Sequence, residues 1–226
     1  EEMERLGLST DFVLTLPGYP TGTVTVELDA AGQPTFQINR PAAYDFADLS
    51  GRHLARLVAW EPDWIAYGTL HQTSTGGRAL TERLCELAES ARRFYDVNLR
   101  KGCYSPELVD ALLRRSHVVK LNEDEARALQ VMLNLPGASL PELCEDVLAI
   151  YGLELICVTL GAGGCLVARP GQRVQAPGYR VEVADTVGAG DAFSAALLHG
   201  LSAGWPLAKV ADFANRAGAV VASRPG

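Results

Sequence analysis

The sequence predicts an α/β fold: a doubly wound, mostly parallel sheet flanked by helices, with a small β lid ahead of it. From Leu49 onward, helical and extended patterns alternate along the chain. Such alternation is typical of a parallel sheet whose two faces are covered by helices. Between Asp11 and Asn39 the pattern has period two instead, which predicts antiparallel strands. The glycine turn at 188–190, which precedes an apolar segment, is the kind of connection at which such sheets bind ligands.

The composition is that of a globular protein. The 226 residues are 48% hydrophobic and 21% charged, and the formal net charge is −7. This negative charge predicts that neither nucleic acid nor a membrane is a partner. We expect no membrane span and no signal peptide, because no apolar run approaches the roughly 18 residues that a span needs. Five cysteines without C-x-x-C spacing predict free thiols and a cytoplasmic location.

The two ends predict that the chain is incomplete. Glu1 is not an initiator methionine, and the chain stops at Gly226 without a terminal helix or tail. We therefore expect a single incomplete domain over residues 1–226. Within it, 11–39 would form the lid strands and 45–226 the nucleotide-binding α/β core.

The lid is predicted from alternation of apolar and polar residues. Over Val24–Leu28, apolar residues alternate with Thr and Glu, so that one face is apolar and the other polar. Asp29–Gly32 has the composition of a turn, and Phe36 and Ile38 resume the alternation. A plain hairpin at the edge of the core is equally compatible with this pattern.

The core is predicted to contain helices and strands in turn. The predicted helices lie at 52–59, 74–88 and 106–115, after Asn122, after Leu140, and at 192–201. The last of these is apolar on almost every face, which predicts a buried helix. The predicted strands lie at 64–67, 93–98, 117–120, 154–159, 165–168 and 173–175.

The turn before the 192–201 helix carries the strongest chemical signal. Gly188 and Gly190 would let the backbone turn sharply and leave their N–H groups unpaired, and together with the helix start these groups form an anion cradle. Asp191 would face that anion. A carboxylate beside an anion site suits phosphoryl transfer to a hydroxyl. The alternative is a tight strand-to-helix turn with a favourable first-turn charge. The pattern fits neither a P-loop nor a Rossmann fingerprint.

Polar residues also follow two of the predicted strands. Asp96, Asn98 and Arg100 have period two, so all three would project from one face at a strand end, and we favour a ligand there over an internal network. Asn122 and Glu125 match a capping box, and they could also place a carboxylate near a hydrated Mg²⁺. These two interpretations of the pair are compatible.

Two further segments leave alternatives open. Thr159–Gly164 holds three glycines, which could form a hairpin turn or a backbone surface for a nucleotide. Arg40 could bind an anionic or polyhydroxyl ligand, or could lie in a solvated loop. The four histidines share no ligand spacing, and we assign them no chemistry.

Taken together, these segments resemble the ribokinase-like carbohydrate kinases, also called the B-type phosphofructokinase family. The residues that carry the resemblance are Asp185–Asp191, the Asn122-x-x-Glu125 pair, Thr159–Gly161 and Asn215. They span most of the chain in the family's order. Asp96–Arg100 is similar to a segment of fructokinases and 2-keto-3-deoxygluconate kinases.

The resemblance implies a catalytic site and a nucleotide site. Asp191 would be the catalytic base, and Gly188, Ala189 and Gly190 would form the anion hole. The residues expected to contact ATP are Asn122, Thr159, Gly161, Gly164, Gly190 and Asn215. Glu125 would bind Mg²⁺ through water. Asp185 and the Val187 carbonyl match positions that hold K⁺ in potassium-activated members.

The resemblance also implies the substrate class and the partners. Arg40, Asn98, Arg100 and Asp191 would bind the sugar. Gln37 and Asn39 suit the hydroxyls of a neutral sugar, so we predict fructose first, with 2-keto-3-deoxygluconate as the alternative. The lid could also form a homodimer.

The two ends of the chain bear on the expectation that the protein is an active kinase. Family members begin with a strand and a Gly-Gly segment that nothing before Glu1 supplies here, and the end of the cation loop is missing as well. An inactive sugar- or nucleotide-binding regulator, or a truncated product, is therefore the alternative to an enzyme.

Overall fold

A computed structural model describes residues 2–28 and 34–225 of the chain. Contacts divide the chain into two compact units. The amino-terminal unit comprises Glu1–Pro62 and His71–Ser90, and the sheet unit comprises Asp63–Leu70 and Ala91–Gly226. The expected division into a lid at 11–39 and a core at 45–226 stays a prediction, and the units described here have other boundaries.

The amino-terminal unit contains the lid and short helices. Its elements are α1 (Glu2–Arg5), β1 (Thr23–Leu28), β2 (Pro34–Asn39), a 3-10 helix at Ala43–Phe46, α2 (Gly51–Val58) and α4 (Thr75–Leu87). The boundary between the two units falls within α3 (Thr69–Gln72), where the chain returns to the amino-terminal unit. Ser50 caps α2 and Ser74 caps α4, each by accepting a hydrogen bond from a first-turn N–H.

The lid is a two-stranded antiparallel ribbon. Thr23 pairs with Asn39, and Asn39 Nδ2 donates to the hydroxyl oxygens of Thr23 and Thr25, each over 3.0 Å. The prediction of strand over 11–22 was wrong, since these residues form turns and irregular backbone. Pro17, Gly18 and Pro20 explain the difference, because proline cannot donate to a strand ladder. The predicted turn at Asp29–Gly32 lies outside the described residues.

The sheet unit is a six-stranded sheet in the order β3-β4-β5-β6-β7-β8, with β3 to β6 parallel and β7 and β8 antiparallel. The strands are β3 (Trp64–Gly68), β4 (Arg92–Asp96), β5 (Val118–Asn122), β6 (Leu155–Thr159), β7 (Cys165–Arg169) and β8 (Gln172–Ala176). The helices of this unit are α5 (Pro106–Arg115), α6 (Glu123–Met132), α7 (Leu140–Tyr151), α8 (Ala189–Ser202) and α9 (Leu207–Ala222).

Helices cover both faces of this sheet. Successive strand residues point to opposite faces, so Tyr95 and Val119 pack with α5, α6 and α7, whereas Phe94 and Val118 pack with α8 and α9. The predicted doubly wound, mostly parallel fold is therefore confirmed. Within the described ranges, no helix is long and apolar enough to cross a membrane. The cysteines are free thiols, and all but Cys103 are buried.

One histidine joins two strands at the amino edge of the sheet. The His117 ring nitrogen Nδ1 accepts a hydrogen bond from the Arg93 backbone N–H over 2.9 Å. The His117 backbone N–H donates to the Arg93 carbonyl, also over 2.9 Å. Burial lowers the pKa of His117, and the nearby Arg93 guanidinium lowers it further. The neutral ring therefore belongs to the folded state, and its role is structural.

We predict that the protein loses stability as the pH falls through the ordinary pKa range of histidine. The folded state binds the His117 proton more weakly than the unfolded chain does, so acid favours unfolding. Burial lowers the pKa of His71 as well, and that contribution is the same in a His117 variant. In urea unfolding followed between pH 7.5 and 5, His117→Gln should flatten the pH dependence, and His199→Gln at an exposed histidine should not. An unchanged slope in His117→Gln would contradict the assignment.

Candidate active site

The carboxyl ends of β4, β5 and β6 bring polar residues to one edge of the sheet. Asp96 is the register partner of Lys120, and Asn122 is the register partner of Thr159. β5 ends at Asn122 and α6 begins at the next residue, so that no loop separates the strand from the helix. In open parallel sheets this edge is where ligands bind.

The end of β4 differs from the prediction. Asp96, Asn98 and Arg100 do not share a strand face, because β4 ends at Asp96 and Asn98 has a left-handed φ of 37°. Val97 makes one further ladder bond, from its N–H to the Lys120 carbonyl, before the chain turns. Asparagine tolerates this conformation better than most residues. Asn98 and Arg100 are both exposed.

Asp96 belongs to an internal network, which corrects the preference for a ligand at this residue. Lys120 Nζ donates to both Asp96 carboxylate oxygens over 3.1 Å, and Ser194 Oγ donates to Asp96 Oδ2 over 2.9 Å. Sequence reasoning missed Lys120 and Ser194. The available signal was a lysine inside the otherwise apolar run of β5, which is rare unless the charge is paired.

The capping box at the start of α6 is present. Asn122 Oδ1 accepts the Glu125 N–H over 2.8 Å, and Glu125 Oε2 accepts the Asn122 N–H over 2.8 Å. Glu125 Oε1 also accepts the Leu99 N–H over 2.9 Å, so this carboxylate ties α6 to the loop after β4. Burial raises the pKa of Glu125, although these two N–H groups and the charge of Lys120 oppose the rise.

The predicted nucleotide residues at β6 and α9 converge on one segment. Thr159 ends β6, and Gly161–Gly163 forms a 3-10 turn before β7. Gly164 has a φ of 95°, and a side chain there would lie 2.1 Å from the Ala176 carbonyl oxygen. Asn215 Nδ2 donates to the carbonyls of Ala176 and Pro177, each over 3.2 Å. Gly164 and Asn215 therefore both fix the backbone that follows β8.

The helix after the glycine turn begins earlier than predicted. α8 starts at Ala189, and Gly188 supplies the turn with a φ of 78°, whereas Gly190 already lies in the helix. The first intrahelical bond runs from the Ala192 N–H to the Gly188 carbonyl. The predicted burial of this helix holds for the face that carries Phe193, Leu197 and Gly200, whereas Ala195 and His199 are exposed.

The start of α8 keeps its donors available. No side chain caps this helix, and within residues 2–28 and 34–225 the N–H groups of Gly190 and Asp191 have no acceptor. In the same described part of the chain, the exposed Asp191 carboxylate makes no hydrogen bond or ion pair. The arrangement leaves two N–H donors and one carboxylate facing solvent at a helix N-terminus, where anions bind favourably.

The segment before α8 is held by α9. Asp185 Oδ1 accepts the Val187 N–H over 2.9 Å, and the Ala222 carbonyl accepts the N–H groups of Ala184 and Asp185. A side chain on Gly218 would meet the Ala189 carbonyl at 3.2 Å, so this glycine lets α9 approach the first turn of α8 closely. Among the described residues, no group of three or more His, Cys, Asp or Glu could hold a metal ion.

Arg40 lies in the amino-terminal unit and is paired. Its guanidinium binds the carboxylate of Asp45, which is 7% exposed, and donates to the Thr73 hydroxyl. Burial would raise the pKa of Asp45, but the hydrogen bonds from Arg40 and from the Ala42 N–H outweigh that effect and lower it. Arg40 and Asp45 line a cleft of about 820 Å³ together with Ser74, Thr75 and Arg83.

Comparison with known proteins identifies relatives along the whole chain. A family model described as pfkB family carbohydrate kinase matches residues 1–226. The chain is 26% identical over 238 residues to a fructokinase of Vibrio alginolyticus, covering 99% of this chain and 74% of the relative. It is 35% identical over 204 residues to a 1-phosphofructokinase of Rhodobacter capsulatus, covering 88% of this chain and 62% of the relative.

A solved structure is similar as well. The fructokinase of Vibrio cholerae O395, in a form with fructose, ADP and calcium ion bound, matches with a TM-score of 0.82 and 25% identity. The match covers 100% of this chain and 74% of that structure. The chain thus spans 62% to 74% of the length of these three relatives.

Gly161 and Gly164 of the β6–β7 turn both have a positive φ, but they differ in the space around them, and this gives a paired prediction. Gly164→Ala should cost about 3 kcal/mol, because a left-handed residue acquires a side chain that collides with the Ala176 carbonyl. Gly161→Ala should cost only about 1 kcal/mol, because the φ of 55° strains an alanine slightly but its side chain would point into open space. Urea unfolding of the two variants measures the difference. Equal costs would show that backbone conformation alone requires glycine at both positions.

Proposed function

Because the chain belongs to the pfkB family of carbohydrate kinases, we propose that it transfers the γ-phosphoryl group of ATP to a hydroxyl of a small neutral sugar, fructose first. The observation that carries the proposal is the start of α8. There, among the described residues, the Asp191 carboxylate has no partner, and it stands beside two backbone donors without an acceptor, the N–H groups of Gly190 and Asp191. These are the groups that phosphoryl transfer to an alcohol requires.

The proposed reaction proceeds in one displacement. The sugar oxygen attacks the γ-phosphorus, the bond from that phosphorus to the β-phosphate oxygen breaks, and ADP leaves. The Asp191 carboxylate takes the hydroxyl proton. The N–H groups of Gly190 and Asp191 hold the oxygens of the transferring group as charge spreads over them. The proposed anion hole of Gly188, Ala189 and Gly190 shares Gly190 with this pair, because the Ala189 N–H already donates to the Thr186 carbonyl over 3.2 Å.

The other expected site residues remain proposals for nucleotide and cation binding. Thr159, Gly161, Gly164, Asn122 and Asn215 would line the ATP site. Bound Mg²⁺ would neutralise charge on the phosphates. Glu125 would orient one such water with the lone pairs that its two amide contacts leave free.

A monovalent cation is a separate proposal. The Asp185 carboxylate and the Val187 carbonyl would bind K⁺ at the turn before α8. Asp185 Oδ1 already accepts the Val187 N–H, which fixes the turn and leaves the other carboxylate oxygen for a cation.

The state of Arg40 supports a neutral sugar over an acidic one. An acidic substrate needs a cation for its carboxylate, but the buried Asp45 carboxylate already occupies the Arg40 guanidinium. A guanidinium group in an ion pair can still donate a hydrogen bond to a sugar hydroxyl, so Arg40 stays a proposed sugar contact. Asn98, Arg100 and Asp191 stay proposed sugar contacts as well. The 26% identity to a fructokinase of Vibrio alginolyticus also favours fructose as the substrate.

Three alternatives are tested alongside this function. The 35% identity to a 1-phosphofructokinase favours a phosphorylated fructose as the second candidate substrate. 2-Keto-3-deoxygluconate is the acidic candidate, and an inactive sugar- or nucleotide-binding regulator is the non-enzyme alternative.

Buried free thiols support a reducing, cytoplasmic location. Val24 and Val26, each 53% exposed on one face of β1, support a homodimer through the lid.

We predict that Asp191→Asn lowers kcat for sugar phosphorylation by at least about 10²-fold and leaves ATP affinity nearly unchanged, because the amide keeps the shape and removes the base. Coupled ADP-release kinetics and ATP titration measure the two quantities. Asp124→Asn is the matched control, because Asp124 is an exposed first-turn aspartate of α6. A near-normal kcat in Asp191→Asn would refute the assignment.

The same assay, run on fructose, fructose 1-phosphate and 2-keto-3-deoxygluconate, tests the substrate. We expect the highest kcat/KM with fructose. Arg40→Gln must be compared with Arg40→Gln/Asp45→Asn, because the single change leaves a buried carboxylate unpaired. A higher kcat/KM for the acidic sugar that both variants abolish would show that the choice of fructose is wrong. ATP binding without transfer to any sugar would favour the regulator.

A further inference from the structure

We propose that Lys120 is a positioning residue of the kinase site: its buried ammonium group supplies positive charge beneath the first turn of α8, and Asp96 and Ser194 hold that charge and that turn in place. The proposal rests on the proposed function and adds three residues that lie outside the glycine turn and the Asn122-x-x-Glu125 pair.

The first observation is the burial of an incompletely paired ammonium group. Lys120 is 8% exposed, in a strand whose preceding residues, Val118 and Val119, are fully buried. Burying a charge is costly unless it is paired. Lys120 Nζ donates to the two Asp96 carboxylate oxygens, and among the described residues it donates to no other acceptor, so these contacts use at most two of its three protons. One donor is therefore left at the edge of the sheet.

The second observation is the position of that ammonium group. A side-chain carbon built on Gly190 would lie 3.5 Å from Lys120 Nζ, so the charge lies directly against the second residue of α8. Gly190 also carries one of the two unpaired N–H groups. The positive charge and the helix N-terminus therefore attract an anion to the same place.

The third observation is the contact made by Ser194. Its hydroxyl lies 2.9 Å from Asp96 Oδ2 and 3.0 Å from the Gly190 carbonyl oxygen. Ser194 is one turn beyond Gly190, on the buried side of α8. The hydroxyl thus connects β4 to the turn that carries Asp191, while the Asp96 carboxylate connects the same point to β5. Three elements meet at one carboxylate, which fixes the catalytic turn relative to the strand ends.

A double-variant design separates this role from a purely structural ion pair. Lys120→Met leaves the Asp96 charge without its partner and should lower the melting temperature. Lys120→Met/Asp96→Asn removes both charges and keeps an acceptor for Ser194, so the melting temperature should recover. If Lys120 supplies charge to the anion site, kcat should stay about tenfold low in the double variant. For the same reason its Kd for MgATP should rise about tenfold, and its Kd for MgADP less than about threefold.

Ser194→Ala tests the connection to α8 without changing any charge. We expect kcat to fall about fivefold while the KM for ATP changes little, because the carboxylate of Asp191 loses its fixed position. Arg92→Met/Glu154→Gln is the matched control. It removes an ion pair of 2.6 Å at the amino end of the same sheet, and it should leave kcat and the ATP-to-ADP affinity ratio unchanged.

Each outcome decides the proposal. A folded double variant with near-normal kcat and an unchanged ATP-to-ADP affinity ratio would overturn it. If the Lys120 variants do not fold, normal turnover in Ser194→Ala overturns the positioning role, and reduced turnover supports it. If the unaltered protein transfers phosphate to no sugar, the proposed function fails, and the change in ATP-to-ADP affinity ratio still decides whether Lys120 serves the anion site.

Discussion

The first turn of α8 has to stay uncapped if it is to bind an anion, and much of the sheet unit serves that constraint. Gly188 makes the turn, and within the described part of the chain no side chain caps the helix and the N–H groups of Gly190 and Asp191 have no acceptor. A helix start without a cap loses stabilisation and tends to fray. α9 compensates, because Gly218 allows close packing on the Ala189 carbonyl and the Ala222 carbonyl binds the preceding segment. Packing thus does the work that a capping side chain does elsewhere.

The same edge of the sheet carries three ionisable groups: Lys120 and Glu125 are buried, and Asp96 is partly buried. The Asp96 carboxylate pairs with the Lys120 ammonium group, and the Glu125 carboxylate accepts two backbone N–H groups. Each of these groups would be costly to bury without its partners. Because the partners come from β4, β5, α6 and α8, the charges also lock these elements in register. Electrostatic groups fixed before a substrate arrives stabilise developing charge at little cost of reorganisation.

Local patterns in the sequence predicted what local physics determines. Short runs rich in β-branched and aromatic residues indicate strands, so β3 to β6 were placed within a few residues of their observed bounds. The capping box at Asn122 was visible because its two partners are three residues apart. Contacts between distant segments left no comparable signal. Ser194 meets Asp96 across 98 residues, and nothing near either residue indicates that pairing. The left-handed Asn98 also ended an alternation that a strand would have continued.

If the backbone donors at the start of α8 bind the transferring phosphoryl group, their amide signals should respond to that group. The most direct measurement is the amide proton and nitrogen chemical shifts of Gly190 and Asp191, recorded with a non-hydrolysable ATP analogue and with ADP. We expect large downfield shifts at both amides with the ATP analogue and small ones with ADP, because only the former carries a γ-phosphoryl group. Equal shifts with both nucleotides, or shifts confined to residues 161–164, would contradict it.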